Sequence, residues 1–474
     1  MGDTQVFHYG VFLMKAGMSP YRQIIDFNMP GSYWFDFFAT TLFGSSDLGW
    51  RLYDYTLLTL LAFATISITA TYDWFAGLYA AVLFALIHGS EGPLAAAERD
   101  EVMTVLVVVG YALVFLGVRY RRPVLFFTSG ICLALAATIK PTAATFEVLL
   151  TVIALFQLRK EGVRTFPFLR AIVLGTLIVL AATLMFFLWR SSFSAFFGRA
   201  LPLAAFYSAS IRPSFPYLLH YSTPRGLIPL LPLAGLLFFL NKSWRDWRFQ
   251  AIIGGVIFGL ASYFIQTKGF TYHRYPFVTF ALLWCGMEFT VALRRGRLIA
   301  MIGGAGLLIG AVLVAPFYLY RSFNFVQTDQ ISMGLVNDLG RYPSDKLDGR
   351  VQCLDGVAGC YSALYRLRLT QSTGLMGDQL LFSSRPNPAV DRYRDEFITE
   401  IKSNPPLIFV ETSYTFGDPQ SFDKIDRWPA FADFLRTNYV LVGGGPGDLR
   451  TQEADVMGYR IYLRAGSQLG ATTQ

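Results

Sequence analysis

Charged residues are scarce in this sequence: they make up 15% of its 474 residues, whereas 54% are hydrophobic and 43 are phenylalanine. So little charge excludes an ordinary soluble protein of two or three domains and indicates a polytopic membrane protein. The net charge of +8 comes from basic clusters between apolar runs, so it does not indicate a nucleic-acid partner.

Cysteine and histidine are also rare, with four residues of each type. Cys132 and Cys285 fall inside apolar runs and are interpreted as packing residues. Cys353 and Cys360 lie in the polar C-terminal part, and they can pair if that part is outside the cytoplasm, which the sequence leaves open. The histidines are scattered, and no His, Cys and carboxylate spacing looks like a zinc site, although a divalent ion at acidic residues is left open.

Long apolar runs are abundant. About ten of them predict membrane-spanning helices, at roughly 48–71, 75–89, 102–118, 124–139, 142–157, 167–189, 226–241, 249–266, 277–293 and 298–318. Basic clusters lie between the runs at Arg119–Arg122, Arg159–Arg164, Asn241–Arg248 and Arg294–Arg297. If the N-terminus is outside, all four clusters face the cytoplasm, as the positive-inside rule requires, and the C-terminal tail lies outside.

The tail has the composition of a soluble domain. Alternating apolar patterns predict strands at 351–355, 407–411, 439–444 and 459–464, with helices at 388–403 and 428–438. We therefore predict three parts: a first outer loop with interfacial helices (1–46), a transmembrane helical domain (47–318) and an extracytoplasmic α/β domain (319–474). The aromatic-rich segment 190–225 is either an amphipathic interfacial helix broken by proline or a partly ordered loop.

Ionisable residues near membrane depth gather on the predicted outer face. Taken alone, each has a structural explanation, such as a snorkelling anchor, a helix-start acid that favours the helix dipole, or a satisfied interfacial histidine. Because charges at membrane depth are costly, their convergence on one face favours a polar active site there.

Several motifs occur in a fixed order. They are Asp3, the G-x-x-P-Y motif Gly17–Tyr21, IIDFNMPGSYW at Ile24–Trp34, AAERDE at Ala96–Glu101 and QTKGFTYHRYP at Gln266–Pro276. In this order and topology, residues 3–318 resemble the C-type (GT-C) glycosyltransferases, in the group of protein O-mannosyltransferases, aminoarabinose transferases and lipopolysaccharide galacturonosyltransferase-like enzymes. The resemblance implies a GT-C-like helical fold in the cytoplasmic (inner) membrane.

The resemblance also implies the chemistry: inverting transfer of a hexose or pentose from a polyprenyl phosphate to a lipid, polysaccharide or protein acceptor on the outer face, without a cofactor or a metal. A carboxylate takes the proton of the acceptor hydroxyl, and cations stabilise the departing phosphate. The residues carried over are the catalytic Asp3, as the base, and Asp100; the acceptor-binding or site-shaping Asp26, Glu98 and Glu101; and the donor-phosphate-binding Lys140, Lys268, His273 and Arg274.

The sequence departs from this pattern at two places. Asn28 and Met29 stand before Pro30, where the aminoarabinose transferases carry a lysine, and Asp3 is almost the first residue, where the family has a preceding membrane helix. We therefore expect either a mis-assigned start or fragment, or a non-catalytic relative with a truncated N-terminus. A transporter or flippase of lipid-linked saccharides is the other alternative, but it predicts mid-span ionisable residues in both halves and an internal repeat, and neither is seen.

Overall fold

The computed structural model describes residues 4–93, 95–210, 212–325, 330–414, 421–445 and 458–467. Packing divides the chain into two compact units. The first comprises Met29–Phe186 and Arg212–Val326, and the second comprises Gly2–Asn28, Phe187–Ile211 and Gln327–Gln474. The domain divisions at residues 46 and 318 stay predictions, because the units follow packing rather than a membrane boundary.

Helices dominate the described residues. In chain order they are α1 (Thr4–Lys15), α2 (Pro30–Leu42), α3 (Asp47–Thr69), α4 (Trp74–Ser90), α5 (Arg99–Tyr120), α6 (Pro123–Ile139), α7 (Ala144–Lys160), α8 (Phe166–Trp189), α9 (Phe193–Ala195), α10 (Leu201–Ser210), α11 (Phe215–Ser222), α12 (Leu230–Leu240), α13 (Trp247–Gln266), α14 (Tyr275–Ala292), α15 (Arg297–Ile309), α16 (Ala315–Phe323), α17 (Gln330–Leu339), α18 (Ser344–Leu347), α19 (Cys360–Leu367), α20 (Pro388–Ser403) and α21 (Pro429–Asn438). π-helical turns at Phe196–Ala200 and Gly310–Val314 join α9 to α10 and α15 to α16.

Seven helical segments in the described ranges are long and apolar enough to cross a membrane. They are α3, α5, Pro141–Lys160, α8, α13, Thr271–Ala292 and Arg297–Phe323. The pair Phe215–Ser222 and Arg225–Leu240, bent by 66°, makes an eighth if it forms one span, and α4 and α6 are shorter apolar helices. All ten predicted apolar runs are therefore helical, and the prediction of a polytopic α-helical membrane protein is confirmed.

Glycines let the helices of the first unit pack closely. A Cβ atom added at Gly77 of α4 would lie 2.4 Å from the carbonyl oxygen of Thr65 in α3. A Cβ atom at Gly259 of α13 would lie 2.5 Å from the backbone nitrogen of Phe277 in α14. Small residues at membrane helix crossings permit this approach.

The second unit contains a four-stranded sheet with strands β1 (Val351–Leu354), β2 (Ile408–Thr412), β3 (Tyr439–Gly444) and β4 (Tyr459–Arg464). The strand order is β1-β2-β4-β3; β1 pairs with β2 in parallel, and the other pairs are antiparallel. Phe397 of α20 and Phe431 of α21 pack with Phe409 of β2 in the core of this unit. The predicted α/β domain is confirmed, and Cys353 and Cys360 form a disulfide.

The aromatic-rich segment 190–225 is largely helical where the structure describes it. Helical structure runs from α9 through the π-helical turn to α10, and α11 follows after an interruption that contains Pro213. This agrees with the first of the two predicted alternatives, a helix broken by proline.

Candidate functional site

A buried ion pair lies at the start of α5. Asp100 occupies the first turn of that helix and has no exposed surface. Lys140 directly follows α6, in extended backbone before Pro141, and its Nζ donates to Oδ1 of Asp100 at 2.6 Å. Lys140 Nζ also donates to Oε1 of Gln266, the last residue of α13. The ends of three membrane helices therefore hold one carboxylate and one ammonium group together.

His273 faces the other oxygen of the same carboxylate. Its Nε2 lies 4.0 Å from Oδ2 of Asp100, and its ring is 3% exposed. In the described part of the chain, Asp100 Oδ2 and both ring nitrogens of His273 have no hydrogen-bond partner. Buried polar groups normally have one, so Oδ2 of Asp100 is available to accept a hydrogen bond from a hydroxyl, and the ring of His273 is available to a second polar group.

A chain of hydrogen bonds fixes the position of Lys140. Nε2 of Gln266 donates to Oγ of Ser262 at 3.2 Å, and that hydroxyl donates to Oγ1 of Thr142 at 3.0 Å. Thr142 lies two residues after Lys140, so these hydrogen bonds lead from Lys140 through Gln266 and Ser262 back to the same turn. This arrangement orients the ammonium group towards Asp100.

Arg274 lies beside this cluster in sequence but has different partners. Its Nη2 donates to Oε1 of Glu91 at 2.7 Å, and its Nη1 donates to the carbonyl oxygen of Tyr221 at 2.8 Å. The side chains of Arg274 and Glu91 are 10% and 14% exposed. The arginine therefore ties the loop after α4 to the end of α11.

Lys268 supplies a further cation in the short loop between α13 and α14. Burial lowers the pKa of Lys268 to about 8, and the positive charge of Arg212 contributes to the same shift. Lys140, Lys268 and Arg274 therefore place several cations at this end of the first unit.

A second buried cluster lies nearby and was missed from the sequence. His88 at the end of α4 contacts Asp54 of α3, with Nε2 3.1 Å from Oδ1, and Glu101 of α5, with Nε2 3.6 Å from Oε2. Nδ1 of His88 lies 2.9 Å from the hydroxyl oxygen of Tyr275 in α14. The sequence signal is that Asp54 and His88 are ionisable residues inside two of the predicted apolar runs.

The predicted site residues thus fall into separate groups. Asp100, Lys140 and His273 meet, and Glu101 turns to Asp54 and His88 instead. Glu98 is buried directly before α5 and makes no capping hydrogen bond with its side chain.

Two predicted acids are not in the described part of the first unit. Asp26 belongs to the second unit, where it is buried and accepts from the side-chain amide of Asn28 at 2.8 Å. Asp3 lies outside the described residues. No role of a predicted residue is tested by these positions, and each stays a prediction.

No protein-family model and no curated protein matches the sequence. Among solved structures, ArnT from Cupriavidus metallidurans in the apo state, a GT-C glycosyltransferase, matches with a TM-score of 0.54 at 13% identity, over 97% of this chain and 93% of ArnT. The chain has the GT-C fold.

Two further solved structures are similar to this chain. ArnT from the same organism bound to undecaprenyl phosphate gives a TM-score of 0.52 at 13% identity, over 97% of this chain and 92% of that one. The archaeal oligosaccharyltransferase AglB from Archaeoglobus fulgidus gives 0.49 at 11% identity, over 93% and 69%. The predicted GT-C-like fold is confirmed, and the match to ArnT extends beyond residues 3–318 into the C-terminal tail.

Proposed function

We propose that the protein is an integral-membrane inverting glycosyltransferase that takes a sugar from a polyprenyl phosphate and places it on a lipid, polysaccharide or protein acceptor on the outer face of the membrane. The observation that carries this proposal is the buried cluster of Asp100, Lys140 and His273. It combines a carboxylate with cationic or hydrogen-bonding groups at the ends of apolar helices, where a lipid phosphate meets the membrane surface.

The chemistry requires two kinds of group. A carboxylate must take the proton of the acceptor hydroxyl as its oxygen attacks the anomeric carbon, opposite the departing phosphate, which inverts configuration. Asp3 is proposed as this base, and Asp100 is proposed to orient the acceptor. Cations and hydrogen-bond donors must stabilise the charge that grows on the phosphate, and Lys268 is proposed as the cation and His273 as a hydrogen-bond donor.

Lys140 is proposed as a further ligand of the donor phosphate. Its ammonium group donates to both Asp100 and Gln266, which holds it at this place. Arg274 already forms an ion pair with Glu91. Its contribution to binding the donor phosphate is therefore weaker than that of Lys268.

The fold supports the proposal. One ArnT structure with this fold was determined bound to undecaprenyl phosphate, which is a polyprenyl phosphate. We propose a donor of the same chemical class for this chain. The sugar and the acceptor are left to experiment.

Transfer from a radiolabelled polyprenyl-phosphate sugar to endogenous acceptors in membranes tests the function. We expect Asp3→Asn to lose transfer by a factor of about 100 or more, as for loss of a general base. Asp100→Asn should lose transfer by a factor of about 100, because the acceptor is no longer oriented. Asp47→Asn is the matched control, because Asp47 also occupies the first turn of a membrane helix but is exposed. Equal transfer by wild type and Asp100→Asn, at equal expression, would remove this cluster from the mechanism.

A further inference from the structure

The second buried cluster has the composition and spacing of a metal site. One oxygen of Asp54, one nitrogen of His88 and one oxygen of Glu101 all lie within 4.8 Å of one another. Each residue comes from a different helix, α3, α4 and α5, and all three are buried. Their separations along the chain, 34 and 13 residues, form no short motif, which is why the sequence shows no metal signature.

The charge in this cluster needs a cation. Two carboxylates are buried here, and a buried charge is costly unless it is paired or binds a metal. In the described ranges the only ion pairs of Asp54 and Glu101 are those with His88, and no Lys or Arg pairs with either. Oε1 of Glu101 is buried and has no hydrogen-bond partner there. A divalent ion would balance two carboxylates and a neutral imidazole.

We propose that Asp54, His88 and Glu101 bind one divalent transition-metal ion, Zn²⁺ or Mn²⁺, that joins α3, α4 and α5. Imidazole with carboxylate oxygen is a donor set that suits these ions. Ligand atoms about 2.0 to 2.1 Å from a tetrahedral zinc ion lie about 3.3 Å apart. The observed separations of His88 Nε2 from the two carboxylates, 3.1 Å and 3.6 Å, lie on either side of that value.

The surroundings of the three ligands agree with this site. A metal-bound histidine usually donates its second N–H to a nearby oxygen, and Nδ1 of His88 has the hydroxyl of Tyr275 at 2.9 Å. The backbone N–H of Ala97 donates to Oδ1 of Asp54 at 2.7 Å and to Oε2 of Glu101 at 3.0 Å. Ala97 holds a φ of 50°, a conformation that non-glycine residues seldom adopt. These contacts hold the side chains of Asp54, His88 and Glu101 in position to bind a metal ion.

Metal content tests the proposal directly. The full chain is purified in detergent, incubated with Zn²⁺ or Mn²⁺, separated from free metal by gel filtration and analysed by plasma mass spectrometry. We expect one equivalent of one of these metals per chain in the wild type and a loss of at least tenfold in His88→Gln and Asp54→Asn. His220→Gln, which changes an exposed histidine of α11, is the matched control and should keep the full equivalent.

A second measurement guards against misfolded variants. The wild type loaded with Co²⁺ should show the visible absorption of a cobalt ion with nitrogen and oxygen ligands, and metal should raise its thermal unfolding temperature. Metal content far below one equivalent in the wild type, with no change in unfolding temperature, would mean that hydrogen bonds hold the three side chains together without a metal. That result would overturn the proposal. Equal metal in His88→Gln and His220→Gln would place the ion elsewhere and also overturn it.

Discussion

Neighbouring residues at the start of α5 illustrate how one helical turn separates two polar clusters. Asp100 turns to Lys140 and His273, whereas Glu101 turns to Asp54 and His88. Adjacent helical positions point about 100° apart, so they serve different neighbours. The two acids are therefore not interchangeable, although they are adjacent in the AAERDE motif.

If Lys268 binds the donor phosphate as proposed, transfer depends on pH. Burial and the charge of Arg212 lower its pKa to about 8, so the ammonium form is present below that pH and is lost as the pH rises through it. Since only the ammonium form attracts a phosphate, the KM for a polyprenyl-phosphate sugar should rise about tenfold for each pH unit above about 8. Transfer rates measured from pH 6.5 to 9.5 test this expectation.

The variant Lys268→Arg provides the control for that pH profile. Arginine stays charged across this range, so its KM should not rise above pH 8. A wild-type profile that matches the Lys268→Arg profile would exclude Lys268 as the titrating donor ligand. Arg212→Gln should shift the wild-type rise to a higher pH, because it removes the neighbouring positive charge.

At the scale of elements, the sequence predicted the secondary structure well where one physical rule decides it. The strand patterns placed β3 and β4 at their observed bounds and β1 and β2 within one residue. Apolar length likewise placed ten helices, because backbone groups in lipid must pair within a helix. Apolar length alone does not show helix interruptions such as the π-helical turn Gly310–Val314, which ends two residues before Pro316, a residue without a backbone N–H.

The candidate site was only partly predictable for a related reason. Asp100, Lys140 and His273 were all named from the sequence, since each is ionisable and stands at the end of an apolar run. Their mutual contact depends on how α5, α6 and the turn before α14 pack, which hydrophobic periodicity does not encode. Asp54 and His88 were overlooked because their partners lie on other helices.

The glycine crossings can be tested by adding a single methyl group. In Gly259→Ala the new Cβ would lie 2.5 Å from the backbone nitrogen of Phe277, so α13 and α14 must move apart. Overpacking of this kind costs about 1 to 3 kcal/mol. We expect a clear fall in the thermal unfolding temperature in detergent, followed by intrinsic fluorescence or circular dichroism.

Gly304→Ala is the matched control for that experiment. Gly304 also lies in a membrane helix, α15, but the nearest atom to an added Cβ is Cδ2 of Leu293 at 3.9 Å, an ordinary contact. Alanine favours helix over glycine, so this variant should unfold at the same or a higher temperature. Equal losses in both variants would mean that the α13–α14 crossing is not especially tight.

At the scale of the whole molecule, the two ends of α5 carry different charges, an acid at its start and an arginine in its last turn. Asp100 lies at its start and Arg119 in its last turn, nineteen residues later, which corresponds to about 29 Å along a helix and matches the hydrocarbon thickness of a bilayer. Arg119 lines a cavity of about 770 Å³ together with Lys160, Lys242 and Arg245, residues of the basic clusters. The first unit thus has one strongly basic end and one end with the candidate site.

Sidedness is the property on which the proposed function depends, because a donor used outside requires the Asp100 end to face outward. Single cysteines at the exposed positions Ser45, which precedes α3, and Arg121, which follows α5, report the two ends in intact cells treated with a membrane-impermeant maleimide. With Cys132 and Cys285 replaced by serine, Ser45→Cys should be labelled in intact cells, and Arg121→Cys only after permeabilisation. The reverse pattern would put Asp100, Lys140 and His273 at the cytoplasmic end, where an extracytoplasmic acceptor does not reach them, and would contradict the orientation that the basic clusters predict.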